Sequence, residues 1–204
     1  MELEFEDEKR IRFAREFSEL DRFVFEFVRV LNNQGIRYVV VSGYITILFG
    51  RTRTTEDIDL LSEKISFDEF NKLWLMLSEN YECLNTTDVT DAYSHYLLNA
   101  TAVRFAKKEQ FIPNIEFKFI KDEVDYYSLT EAIEVRVGDN TLNISPLELQ
   151  IAYKMFLGSE KDLEDAMFLF ALFTEYLDLQ TLMTFLTKFG VEDATVKQYL
   201  KGLL

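Results

Sequence analysis

A short apolar run, residues 36–41, restricts the fold more than any other part of the chain. It consists largely of Tyr and Val, and small-residue turns bound it, which is typical of a strand buried on both faces. Ser42-Gly43 ends the run, and residues 44–49 predict a short helix. Residues 57–61 then alternate acidic and aliphatic side chains, as a half-buried strand does. This strand–turn–helix–strand unit predicts an α/β core.

The first and last parts of the chain predict helices. Apolar residues at helical spacing predict one long amphipathic helix over residues 7–33, ended by Gly35 in a left-handed conformation. Ser66 and Glu69 form a capping box for a helix that extends to about residue 79. Ser145-Pro146-Leu147-Glu148 predicts another capping box, and four helices follow, at residues 146–157, 163–175, 179–189 and 194–202.

The middle of the chain lacks helical periodicity and predicts strands. They are expected at residues 94–98, 101–105, 114–120 and 133–137, and a hairpin turn at 138–140 leads to a last strand at 141–144. The polar connector that begins at Asp122 has no assignable structure. We therefore expect an α/β (α+β) unit over residues 1–144, with the long N-terminal helix, and a C-terminal α-helical subdomain over 145–204.

Composition excludes several classes of protein. Lys and Arg number 22 against 36 Asp and Glu, so the formal net charge is -14, which argues against a broad basic face for nucleic acid. One Cys permits neither an internal disulfide nor a thiolate metal cluster, so a cytoplasmic location is expected. No apolar run reaches the length of a membrane span, and the mixed charges of the first ten residues predict no signal peptide.

Two aspartates, Asp57 and Asp59, are the strongest candidates for chemistry. At i and i+2 on a strand they share one face, and such a pair repels unless it is protonated or bridged by a cation. Oxygen ligands of this kind suit Mg²⁺ together with substrate phosphates. The Ser42-Gly43 turn precedes a helix and can present N–H groups to an anion. The alternative, without a functional role, is that the two acids lie on the solvent face of an edge strand.

The spacing of these residues resembles the signature of the DNA polymerase β-like nucleotidyltransferase superfamily, and within it the AbiEii-like nucleotidyltransferases associated with toxin–antitoxin systems. The signature runs from Val40-Val41-Ser42-Gly43-Tyr44 through Gly50, Arg53 and Thr55 to Asp57-Ile58-Asp59-Leu60. Similar residues continue at Ser145-Pro146, Glu148-Leu149, Lys154, Lys161-Asp162 and Asp165, so the resemblance spans about residues 36–166. Two departures are Ser42, where glycine is commonest, and bulky Ile45, where a small residue is usual.

The resemblance implies a mixed sheet flanked by helices and a specific reaction. An Mg²⁺-dependent enzyme would move a nucleoside monophosphate from an NTP to an acceptor hydroxyl, and pyrophosphate would leave. Two metal ions would be held by Asp57, Asp59 and a third carboxylate on a neighbouring strand. Ser42, Gly43 and Arg53 would hold the triphosphate.

The third carboxylate is expected on the strand at residues 114–120. Glu116 and Lys118 share one face of that strand, so Glu116 is the candidate, as metal ligand or general base. An exposed Glu beside a Lys is an equally open interpretation, and Asp122 is the weaker alternative.

The C-terminal helices supply further candidates for substrate contact. Lys154 lies in an otherwise apolar helix and is predicted to contact the triphosphate. Lys161 is either a phosphate ligand or a solvated side chain, and Asp162 either contacts substrate or caps a helix. His95 and Cys83 are expected to be structural, since neither has the partners of a zinc site or a nucleophile.

Two main functions remain open at this point, and a third, a metal-independent binding module, would follow if Asp57 and Asp59 both faced solvent away from Gly43. The first is the metal-dependent transferase, with a tRNA end, a protein or a small molecule as acceptor. The second is a catalytically inactive nucleotide-binding or regulatory protein that interacts through its helical tail. Apolar residues of that tail would serve a homodimer or an antitoxin partner.

Overall fold

The computed structural model describes residues 3–7 and 9–202. In this part of the chain nine strands form one mixed sheet in the order β1-β2-β8-β9-β3-β4-β7-β6-β5. The strands are β1 (Glu4–Asp7), β2 (Arg10–Phe13), β3 (Tyr38–Val40), β4 (Asp57–Ser62), β5 (Tyr81–Cys83), β6 (Val103–Lys107), β7 (Asn114–Phe119), β8 (Ile133–Val137) and β9 (Asn140–Ile144). The mixed α/β architecture confirms the predicted fold class.

Helices flank this sheet and form the C-terminal part of the chain. Their bounds are α1 (Glu19–Asn33), α2 (Gly43–Leu48), α3 (Phe67–Leu77), α4 (Val89–Asp91), α5 (Glu123–Thr130), α6 (Leu147–Leu157), α7 (Glu160–Phe173), α8 (Leu179–Lys188) and α9 (Asp193–Tyr199). A π-helical turn, Ala92–Tyr96, and a 3₁₀ turn, Leu97–Asn99, follow α4. None of the helices in these described ranges combines the length and the apolar character that a bilayer span requires.

The two faces of the central strands bury different residues. Ile58, Leu60 and Phe117 belong to the main hydrophobic core. The opposite face carries a small separate cluster of Val39, Leu61 and Leu129, the last of which comes from α5. Because side chains alternate along a strand, Asp57 and Asp59 must lie on the same face as Leu61, outside the main core.

The N-terminal helix is shorter than predicted. Helix α1 begins only at Glu19, after a capping box formed by Ser18 and Asp21. Glu4–Asp7 and Arg10–Phe13, which precede it, form β1 and β2, and β2 pairs in parallel with β8. In β2 Ile11 and Phe13 are buried and the intervening arginines are exposed, which is a period of two. The prediction of a helix from residue 7 was therefore wrong, because charges separated by apolar residues fit both periods over so short a stretch.

Two other predictions of local structure were wrong, and one segment without a predicted structure is a helix. Residues 94–98 are helical turns, because Asp88 caps α4 by accepting from the N–H groups of Thr90 and Asp91. The capping box predicted at Ser145 does not form, since the Glu148 carboxylate accepts instead from the N–H of Asp178 at 2.9 Å. The polar connector after Asp122 contains α5, which Asp122 caps.

The other local predictions were confirmed. Ser66 and Glu69 cap α3 reciprocally, and Gly35 follows α1 with a φ of 68°. Residues Gly138 and Asp139 form the two-residue turn between β8 and β9, whose last pair is Val137 with Asn140. The predicted boundary after residue 144 coincides with the end of β9, and the division into two domains stays a prediction.

Helix α1 carries a buried carboxylate that the sequence did not single out. The Asp21 side chain is fully buried and accepts hydrogen bonds from Arg15 and Ser18 and from the Tyr44 hydroxyl at 2.7 Å. Tyr44 lies at the start of α2, so this contact ties the first helix to the turn at Ser42-Gly43. Burial, followed by the charge of Asp21, raises the pKa of Tyr44 well above its ordinary value.

We expect Asp21→Ala to lower the free energy of unfolding by about 3 kcal/mol, because Arg15 and the Tyr44 hydroxyl lose their shared buried acceptor. Urea unfolding followed by circular dichroism measures the loss. The control is Glu16→Ala, an exposed acid in the same segment, which should cost less than about 0.5 kcal/mol. Equal losses in the two variants would contradict the structural role of Asp21.

Candidate active site

Parallel pairing of β4 with β7 brings the predicted acidic residues together. Asp59 is directly opposite Glu116, and Leu61 is opposite Lys118. Because these positions are two residues apart on each strand, Asp57, Asp59, Glu116 and Lys118 share one face. Asp57 is exposed, Asp59 is half-buried and Glu116 is 9% exposed. Glu116 therefore lies beside the acidic pair, as predicted.

Two cations neutralise part of this cluster. The Lys118 Nζ lies 3.0 Å from Asp59 Oδ1 and 3.0 Å from Glu116 Oε2. Arg104 is opposite Glu116 on β6, and its Nε and Nη2 donate to Glu116 Oε1 at 2.9 and 2.6 Å. Both oxygens of Glu116 are thus engaged in ion pairs.

The pKa values of Glu116 and Lys118 shift in opposite directions. Burial by itself would raise the pKa of Glu116, but Lys118 and then Arg104 more than offset it, and the pKa falls below its ordinary value. Burial by itself would lower the pKa of Lys118, but Asp59 and then Glu116 more than offset it, and the pKa rises. Both groups are therefore charged at neutral pH.

The turn before α2 has an unusual backbone. Ser42 has φ 65° and ψ −139°, a region that favours glycine and costs other residues about 1–3 kcal/mol. Gln150 of α6 holds it, since the Ser42 N–H donates to Gln150 Oε1 at 3.2 Å and Gln150 Nε2 donates to the Ser42 carbonyl at 3.2 Å. This explains physically why glycine would suit position 42.

At Gly43 the Arg53 guanidinium lies close to the backbone. A Cβ atom at position 43 would lie 2.7 Å from Arg53 Nη2, so the end of the Arg53 side chain would have to shift. Arg53 donates to the buried carboxylate of Asp165, and the loop continues to Thr55, whose hydroxyl donates to Asp57 Oδ1 at 3.3 Å. The turn, the arginine and the acidic strand are therefore adjacent.

A buried ionic cluster centred on Asp165 lies behind this loop. Asp165 is fully buried and accepts from Arg51, Arg53, Lys154 and Thr46, the last two at 2.7 and 3.1 Å. Among these contacts, Arg51 and Arg53 come from the loop and Lys154 from α6. The cluster consequently links the loop to the C-terminal helices.

The predicted triphosphate contacts of the helical part lie in or near this cluster. Lys154 is only 1% exposed and also binds Asp162 at 3.0 Å, and burial lowers its pKa despite that partner. Asp162 accepts from Ser159 at the start of α7, whose side chain caps that helix. Lys161 is exposed. The structure thus places Lys154 and Asp162 against each other, and their roles toward a substrate stay predictions.

A cavity of about 390 Å³ adjoins the acidic strand. Asp59 and Lys118 line one side of it, and Gln150 and Tyr153 of α6 line another. Ser128 of α5 also lines it, and its hydroxyl is buried without a hydrogen-bond partner. Charged and apolar side chains both line this cavity, and the Ser128 hydroxyl is a buried polar group at its wall.

Sequence reasoning missed Arg104 and Gln150. No local pattern marks either residue, since Arg104 reaches Glu116 across a strand pair and Gln150 reaches Ser42 from α6. Within the described ranges, no group of three or more His, Cys, Asp or Glu side chains is arranged to hold a metal ion. Of the three acids on this face, Asp59 has one oxygen, and Glu116 both oxygens, in ion pairs with Lys118 or Arg104. Asp57 and Asp59 therefore fit the role of cation ligands better than Glu116 does.

The fold is nucleotidyltransferase-like. It is similar to an antigenic nucleotidyltransferase-like protein from Paracoccidioides brasiliensis, with a TM-score of 0.57 and 16% identity over 90% of this chain and 92% of that one. It is also similar to the antibiotic-resistance factor ANT(2'')-Ia in solution, with a TM-score of 0.55 and 12% identity over 88% and 95% of the two chains. The crystal structure of ANT(2'')-Ia with adenylyl-2''-tobramycin matches with a TM-score of 0.51 and 13% identity, over 84% and 97%.

Sequence comparison adds no assignment to this structural likeness. No protein-family model and no curated protein matches the chain. The AbiEii-like resemblance therefore stays a prediction, and the structural neighbours establish the fold.

Two adjacent acids on α7 allow a matched test of the buried cluster. Asp165→Ala should lower the free energy of unfolding by about 3–5 kcal/mol, because it leaves three cations without their shared carboxylate. Glu164→Ala removes an exposed partner of the same Arg51 and should cost less than about 1 kcal/mol. Chemical denaturation measures both, and similar losses would refute the central place of Asp165.

Proposed function

We propose that this protein transfers a nucleoside monophosphate from an NTP to an acceptor hydroxyl. The observation that carries the proposal is the pair Asp57 and Asp59, on a strand that follows the Ser42-Gly43 turn and Arg53 in a nucleotidyltransferase-like fold. Carboxylates on one strand beside a glycine turn offer both a cation site and a place for phosphates. These are the two requirements of nucleotidyl transfer.

Asp57 and Asp59 are the residues that would hold Mg²⁺. Their like charges on one face favour a bound cation, and oxygen ligands suit this metal. Bound Mg²⁺ would supply neutralisation of the charge that develops on the phosphates. The contribution of the protein is orientation, because the strand pairing of β4 with β7 holds both aspartates on a rigid element.

Ser42, Gly43 and Arg53 would hold the triphosphate. The Gly43 turn opens α2, and the Arg53 guanidinium lies directly against it. Lys154, Lys161 and Asp162 were predicted to contact the nucleotide. We propose instead that Lys154 and Asp162 act indirectly, by holding the Asp165 cluster that fixes Arg53, and that exposed Lys161 is free to meet a phosphate.

The acceptor is proposed to be a small molecule. The cavity beside Asp59 has the size of a small-ligand site, and the net charge of -14 disfavours extended contact with RNA. ANT(2'')-Ia, of similar fold, has been crystallised with adenylyl-2''-tobramycin. A short RNA end or a protein side chain are the remaining alternatives for the acceptor.

The finer family assignment is also a proposal. The AbiEii-like pattern around Ser42 and Asp57 supports a toxin–antitoxin component. The exposed apolar residues Tyr153, Phe156 and Leu157 on α6 would then serve an antitoxin partner or a second copy of the chain.

One observation favours a second candidate function. Glu116 has both oxygens in ion pairs and a lowered pKa, which makes it a poor general base. A catalytically inactive nucleotide-binding or regulatory protein would keep the same fold and turn. A single measurement distinguishes the two candidate functions, because only the enzyme produces a labelled acceptor.

Mg²⁺ with ATP, or with another NTP that binds, should raise the melting temperature of the wild-type protein. At 100 times the dissociation constant the gain is about 2.7 kcal/mol, or roughly 5–10 °C for a chain of this size. Asp57→Asn combined with Asp59→Asn should abolish the rise. The control is Asp139→Asn, the same change in the exposed β8–β9 turn, which should keep the rise. No rise with any of the four NTPs would reject nucleotide binding.

Incubation with labelled NTPs, Mg²⁺ and pools of cellular RNA, protein and small molecules tests the transfer itself. We expect label in the small-molecule pool and none with the double asparagine variant. Label in RNA or protein would change the acceptor class. A melting shift without label in any pool would favour the non-catalytic candidate.

A further inference from the structure

We propose that Lys118 occupies the place of a second metal ion, so that this site binds one divalent cation on Asp57 and Asp59. Glu116 then serves to hold Lys118 and Arg104 and is not a metal ligand. This inference rests on the proposed function, since it concerns the same acidic strand. It departs from the two-ion site that the sequence resemblance implies.

The position of the ammonium group is the first support. The Lys118 Nζ is 3.0 Å from an oxygen of Asp59 and 3.0 Å from an oxygen of Glu116, so it bridges the two carboxylates. A metal ion shared by these two residues would have to occupy the same space. Lysine and cation therefore compete for one position.

Strand register explains why the lysine reaches this position. Lys118 follows Glu116 by two residues on β7, on the same face, and is opposite Leu61. The four-carbon side chain of Lys118 is long enough to extend along the strand and bring the ammonium group to Asp59. The bridge follows from the backbone pairing and does not depend on a mobile loop.

Charge supports the count of one ion. Asp57, Asp59 and Glu116 contribute three negative charges, and Lys118 and Arg104 contribute two positive ones, which leaves one net negative charge. Without nucleotide, one divalent ion would bring this cluster to a net charge of +1, and two divalent ions would bring it to +3. On the protein without nucleotide, charge therefore disfavours a second ion.

Lys118 also keeps a donor for substrate. An ammonium group has three N–H donors, and Asp59 and Glu116 accept two of them. Lys118 lines the 390 Å³ cavity, so the third donor is available to an oxygen of the bound ligand. A fixed ammonium of this kind would neutralise phosphate charge at the place where a second metal ion would do so.

Counting bound Mn²⁺ by electron paramagnetic resonance, with the metal alone and no nucleotide, tests the proposal. Wild-type protein should bind one ion per chain, and Asp59→Asn should lose it. Lys118→Met removes the ammonium and keeps a long apolar side chain, and it should bind a second ion or bind the first at least about tenfold more tightly. Circular dichroism checks that each variant is folded.

Lys121→Met is the matched control. Lys121 lines the same cavity, so its loss changes the general charge by the same amount without vacating the space between Asp59 and Glu116. It should keep one ion with an affinity within about threefold of wild type. A wild-type count of two, or equal behaviour of the two lysine variants, overturns the proposal and leaves the proposed function standing.

Glu116→Gln gives a second measurement that does not depend on Lys118→Met folding. If Glu116 is not a ligand, this variant should keep one Mn²⁺ with less than about a threefold loss of affinity. A loss as large as that of Asp59→Asn overturns the proposal. A count of zero in wild type and in every lysine variant also overturns the proposal, whereas the proposed transferase is judged separately, by the melting shift with Mg²⁺ and nucleotide.

Discussion

The parallel pairing of β4 with β7 is the constraint on which the site depends. It fixes Asp59 opposite Glu116 and, two residues further along, brings Lys118 onto the same face. A shift of one residue would turn Glu116 and Lys118 toward the main core, where Phe117 now lies, and would bury two charges among apolar side chains. Burial of the opposite face therefore specifies the geometry of the charged face.

A second constraint joins the sheet to the C-terminal helices. Asp165 of α7 is fully buried and collects cations from the loop before β4 and from α6, while Gln150 of α6 holds the backbone of Ser42. Buried charges are tolerated only when they are paired, so the loop and the helices must assemble together. The helical part thus helps to shape the turn and Arg53, which are the parts of the site proposed to bind phosphate.

Local chemistry decided how well individual elements could be predicted. Ser66 with Glu69 and the Gly138-Asp139 turn were predicted correctly, because a cap and a tight turn depend on a few adjacent residues. Residues 10–13 were predicted as helix and form β2, because their partner β8 lies more than 120 residues away in the chain. The predicted capping box at Glu148 does not form, because its carboxylate accepts from the N–H of Asp178, another partner distant in the chain. Long-range partners overrode local preference in both cases.

By itself the sequence determined the strand–turn–helix–strand unit, the shared face of Asp57 and Asp59, and the candidacy of Glu116. The first two follow from periodicity and spacing, which act within a few residues, and the candidacy of Glu116 follows from the resemblance to the nucleotidyltransferase signature. Only the tertiary structure decided that Lys118 bridges Asp59 and Glu116, that Arg104 holds Glu116, and that Lys154 is buried against Asp165. Which charges meet depends on strand register and helix packing, and these are set by burial of the whole chain.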